Sequence, residues 1–154
     1  MPAHPAPLTP ALLRAYLDTC YTVFAENRFD LVIAHFSPML PPLLEARGVG
    51  AALLISAHNP FSRKKSAAEN VARSAELRQR LHRENLAWVP ATGQSLSTDW
   101  PAEPGFLVFG TSREQARELL LEFEQNAGVW CQADGIPQLM QHPHVHALMT
   151  PDFA

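Results

Sequence analysis

Cysteine is scarce in this chain. Two thiols in 154 residues, Cys20 and Cys131, cannot build a disulfide framework. Each sits in an apolar or aromatic segment, so both are expected as buried free thiols in a reducing compartment. No apolar run approaches the length of a membrane-spanning helix, and the first residues lack the basic-then-apolar order of a secretion signal. The expected location is the cytoplasm, with no membrane partner. There is no phosphate-binding glycine loop, no dinucleotide fingerprint and no Gly-x-Ser-x-Gly, and neither cysteine carries a His-linked nucleophile signature. Internal repeats are absent. With a pI near 6.1, the chain as a whole does not require a nucleic-acid partner.

What is present suffices for one core: 47% hydrophobic and 18% charged residues at this length fit one globular domain. Residues 1–8 carry three prolines and are expected to fray, residues 9–140 to form the domain, and residues 141–154 to be a C-terminal tail.

The most informative stretch is 53–66, Leu-Leu-Ile-Ser-Ala-His-Asn-Pro-Phe-Ser-Arg-Lys-Lys-Ser. It reads as a buried strand over 51–57, a loop opened by Asn59-Pro60, and the start of a helix. Ser66 with Glu69 has the spacing of a capping box, and the helix should run to about Glu84. Its first amides have no intrahelical partner and the helix dipole is positive there, so Arg63, Lys64 and Lys65 just upstream complete a plausible anion site. Residues 63–83 hold seven Lys/Arg against two Glu, a net of +5 in a chain of net −3. The competing explanation is a solvated helix face, with Glu69–Arg73 and Glu76–Arg80 as i,i+4 pairs.

Helical phasing places Glu69, Arg73, Glu76, Arg80 and Arg83 on one side and Ala67, Val71, Ser74, Ala75, Leu77 and Leu81 on the other. Asn70 falls with the inward set. An inward Asn must be hydrogen-bonded. Either it ties down the 59–66 loop, or Asn59, Ser62 and Asn70 line a small polar pocket.

Around this centre, Thr9-Pro10 starts a helix to about Asp18. Residues 21–24 and 29–35 form a hairpin, and a short helix covers 43–47. Strands are expected at 86–91, 105–110, 129–132 and 136–140. A second capped helix begins after Ser112, with Ala116, Leu119, Leu120 and Phe123 inward. From Ala51 the order is β-α-β-β-α-β. The fold class is therefore α+β, two-layer, with a ferredoxin-like unit of mostly antiparallel sheet, helices on one face, and an N-terminal helix and hairpin added.

The run from Ile55 to Ser62, followed by Ser66 and Asn70, resembles the signature of a family of small bacterial proteins classed as a domain of unknown function. Asp99-Trp100-Pro101, Glu103, Phe106-Leu107-Val108, residues 112–116 and residues 125–130 fit the same pattern, over roughly residues 10–140. His58 stands where that pattern leads one to expect an aromatic or small residue. The resemblance implies a bacterial cytosolic protein and no particular activity.

Other candidates are weaker. His142, His144 and His146 alternate and could hold Zn²⁺ or Ni²⁺, but a solvated tail is the reading adopted, with no metal site. Trp88 and Trp130 are expected in the core, and Trp100, in its loop, as exposed and suited to stacking. Asp99 and Glu103 share a loop where solvation is the default. The residues proposed to bind ligand are Asn59, Ser62, Arg63, Lys64, Lys65, Ser66, Asn70 and Trp100; catalytic residues and cofactor are unassigned. The expected function is a binding module for a small anionic, phosphate-bearing or nucleotide-like ligand. The alternatives are a nucleic-acid-associated module using the basic helix face of Arg73, Arg80 and Arg83, or an enzyme using the same pocket, where His58 is the only nearby titratable group.

Overall fold

The computed structural model describes residues 9–97 and 99–144. The expected N-terminal tail and His146 lie outside them. The chain runs α1 (Pro10–Leu17), β1 (Thr19–Val23), β2 (Phe29–Leu31), α2 (Leu40–Ala46), β3 (Ala51–Ile55), a 3-10 turn (Pro60–Ser62), α3 (Ala67–Arg83), β4 (Trp88–Ser95), β5 (Glu103–Phe109), α4 (Arg113–Glu122), β6 (Ala127–Gln132) and β7 (Gln138–Gln141). The fold is mixed α+β.

All seven strands join one antiparallel sheet in the order β2-β1-β4-β5-β3-β6-β7. The N-terminal hairpin therefore continues the main sheet, with Tyr21 opposite Gly93. A Cβ on Gly93 would lie 3.1 Å from the Tyr21 ring, so the missing side chain makes room for it. At Gly105 a Cβ would come within 2.5 Å of the Ile55 carbonyl oxygen, and only glycine lets β5 approach β3 there.

Alternation along β3 separates two cores. Leu53 and Ile55, with Phe106, Val108 and Trp130, pack against Leu77 and Leu81 of α3 and Ala116, Leu119 and Leu120 of α4. Ala52 and Leu54 face the other side with Tyr21, Val23, Leu107 and Val129, and there Leu40 and Leu44 of α2 cover part of the sheet. The helices of the central unit share one face, as expected, but α2 gives the opposite face a covering of its own; two layers are too few.

Both expected serine caps form, but at Ser66 only one half of the expected capping box is made. Ser66 Oγ accepts from the Glu69 amide, and Ser112 with Gln115 makes both halves of a capping box. Cys131 is buried in β6 with its thiol pushed up to about 12 by desolvation; Cys20 is half-buried, and both are free. His142 requires a correction. It is 2% exposed, its amide donates to the Asn126 carbonyl, and its ring meets Phe61 edge-on at 5.4 Å. The packed region extends past the expected start of the tail. No described helix is long and apolar enough to cross a membrane.

Candidate functional site

The loop between β3 and α3 is held in an unusual backbone state. Asn59 (φ 49°), Phe61 (φ 49°) and Ser62 (φ 61°) are all left-handed without being glycine. Such conformations persist only where the surroundings over-determine them. Here they do. The Asn59 amide donates to Asn70 Oδ1 at 2.9 Å, while Asn59 Oδ1 accepts from the Lys65 amide at 2.9 Å and from Asn70 Nδ2 at 3.1 Å. Asn59 Nδ2 donates to Glu103 Oε1 at 2.8 Å. Asn126 Nδ2 donates to Ser62 Oγ at 3.0 Å, and the Phe61 amide donates to the Glu124 carbonyl at 2.6 Å.

A guanidinium closes the back of the loop. Arg73 donates through Nε to the Ala57 carbonyl at 2.7 Å and through Nη2 to the Phe123 carbonyl at 2.6 Å, with Glu124 3.6 Å from Nη1. Gln125 Nε2 adds a bond to the His58 carbonyl. Arg73, placed on the outer face by phasing, is thus an internal staple. Arg80 is engaged likewise, by Glu84 and Glu122. Val71, expected inward, is 67% exposed.

On its other side the loop walls a cavity of about 650 Å³ between α1 and the sheet. The floor is apolar: Leu54 of β3, Val129 of β6 and Leu139 of β7. Leu12 and Tyr16 of α1 form the roof, and Asn59, Ser62, Glu103 and Asn126 form the polar wall. Tyr16, half-buried, bridges roof and wall; desolvation pushes its pKa up to about 12 against the lowering influence of Ser62 and Asn126. At neutral pH it is protonated and can donate a hydrogen bond. Desolvation lowers the His58 pKa, against the opposing influence of Glu103. His58 does not line the cavity.

Of the residues proposed from sequence, Asn59, Ser62, Lys64 and Trp100 line this cavity, and Arg63, Lys65, Ser66 and Asn70 do not. Asn70 ties the loop down. The Lys65 and Glu69 amides near the helix start are bonded to Asn59 and Ser66. Trp100 is half-buried, with Nε1 donating to Glu103 Oε1 at 2.9 Å and the Lys64 ammonium 5.2 Å from its ring centroid. Glu103, expected to be solvated, is half-buried and takes two donors on one oxygen. Tyr16, Glu103 and Asn126 line the cavity and were not among the residues proposed from sequence to bind ligand. Glu103 and Asn126 were marked by the family-like pattern, and Asn126 also by a polar pair, Gln125-Asn126, immediately ahead of an apolar strand. Among the described residues, no group of three or more His, Cys, Asp or Glu could hold a metal ion.

The profile of a family described as "Protein of unknown function (DUF3293)" matches residues 55–127, which take in the strained loop, Glu103 and Asn126. This supports the likeness to a domain-of-unknown-function family. Neither a curated protein nor a solved structure matches the chain.

Proposed function

We propose that the protein is a binding module for a small organic molecule held between α1 and the sheet. The carrying observation is the cavity itself: an apolar floor facing a polar wall whose side chains are already fixed by one another. Concave, mostly apolar sites with a few convergent polar groups are the usual form of small-molecule pockets, and a wall ordered beforehand reduces the entropy lost on binding. Of the anionic ligand expected from sequence, the part that still has support is Lys64 at the cavity wall.

The test is a fragment titration followed by amide chemical shifts. Binders should perturb Leu54, Val129 and Ser62, and Ala15→Trp, which fills the space under α1, should abolish the effect while leaving the fold intact. Perturbations confined to the surface of α3 would refute the reading.

A second reading has one observation in its favour. Arg78, His82 and Arg83 border an open groove with Leu86 and Trp88 on the far side of the molecule, and none of the described ion pairs engages Arg78 or Arg83. Cations beside an aromatic ring suit single-stranded nucleic acid. That reading predicts steep salt dependence on heparin. Within the fold, we read β3-α3-β4-β5-α4-β6 as a ferredoxin-like split unit, supported by the order β4-β5-β3-β6 and by α3 and α4 sharing a face. A bacterial cytoplasmic setting is likewise our proposal, supported by the two unpaired thiols.

A further inference from the structure

The charge inside the cavity is opposite to that of the loop leading into α3. Its described lining includes one cation, Lys64, against two carboxylates, Asp99 and Glu103, a net formal charge of −1, together with three aromatic side chains, Tyr16, Tyr21 and Trp100. Asn59 and Trp100 both donate to Oε1 of Glu103. Both donors are neutral, so they orient the carboxylate without neutralising it. No described donor reaches Oε2, and none of the described ion pairs includes Glu103 or Asp99. The one ammonium present lies 5.2 Å from the centroid of the Trp100 ring, within the range of a cation–π contact.

We infer that the cavity takes an organic cation, a primary amine on a compact apolar or aromatic body, with its ammonium at Glu103 Oε2 and its body on Leu54, Val129 and Leu139. The inference rests on the cavity reading above and names its ligand class. A charge-assisted N–H···O⁻ bond to an oriented carboxylate is about twice as strong as a neutral one, and the apolar floor takes up the rest of the molecule. Lys64 is then an internal competitor, a tethered cation beside the ring that a ligand cation would approach.

The experiment uses three probes of similar shape and different charge on the full chain: 2-phenylethylamine, 2-phenylethanol and 3-phenylpropionate, with affinities from calorimetry and location from amide shifts. The amine should bind at least about tenfold tighter than the alcohol, and the acid weakest. Glu103→Gln, which keeps an acceptor for Asn59 and Trp100, should erase the preference. Lys64→Gln should tighten the amine and weaken the acid. An acid that binds tighter than the amine, or an amine weakened by Lys64→Gln, overturns the inference. If amine and alcohol bind equally and Ala15→Trp removes both, the ligand class is wrong and the cavity reading stands. If none of the probes shifts the cavity residues, both fail. Should Glu103→Gln not fold, the charge series on the natural chain and on Lys64→Gln decides.

Discussion

The two faces of the sheet are built from neighbouring residues and have opposite characters. Leu53 points into a face closed by α3 and α4, whose inward leucines Leu77, Leu81, Leu119 and Leu120 are at most 1% exposed. Leu54, one residue on, points into a face that α2 covers only in part. Over the rest stands α1, which has no buried residue at all. One face has used its apolar surface for packing; the other keeps some of it open beside fixed polar groups. A strand's alternation thus decides which residues close the core and which border the cavity.

The sharpest way to break this comparison is to truncate one leucine on each face. Leu120→Ala should cost about 3 kcal/mol in urea denaturation. Leu139→Ala, whose lost atoms border space already empty, should cost about 1 kcal/mol or less. Equal losses would mean that the cavity face is as tightly packed as the other. Next in size, Asn70→Ala leaves the Asn59 amide without its partner in a buried site and should cost about 2 kcal/mol, with faster hydrogen exchange across residues 59–65. Ser66→Ala removes a helix cap and should cost about 1 kcal/mol without altering the affinity of any cavity ligand. A loss of affinity would return the site to the start of α3.

The smallest effect concerns pH. Desolvation lowers the native pKa of both His58 and His142, with Arg73 also lowering the former and His144 the latter. The unfolded chain therefore binds protons first as the pH falls below about 6.5. Stability is full above that value and declines as the pH drops towards the lowered native pKa values. The double variant His58→Gln/His142→Phe should show a shallower decline over the same window in thermal melts.

Much of the fold was legible in the residues. Thr9-Pro10, Ser66 and Ser112 start helices because their caps act within one turn, and Asp134-Gly135 turns a hairpin for the same local reason, with Gly135 at φ +74°. Asn70 was correctly placed inward. Val71 and Arg73 were misplaced because the first half of α3 faces a polar loop, where burial follows hydrogen bonds rather than hydropathy. The strand β4 runs four residues past its expected end because β1 supplies a partner along it, and no local signal encodes that pairing. Of the cavity, only part of one wall was legible, in Asn59, Ser62, Lys64 and Trp100. Tyr16, Glu103 and Asn126 are far apart in sequence and meet only after the sheet has formed.

The burial of Cys131 makes the protein its own stopwatch. Its sulfur forms almost no thiolate at neutral pH and lies in the interior of the sheet, whereas Cys20 is only half-buried, its pKa raised by desolvation and by Asp30. A maleimide or disulfide reagent should therefore modify Cys20 first, and Cys131 only when β6 separates from its neighbours. The lag between the two modifications measures how often the sheet opens, on unlabelled natural protein and with no mutation.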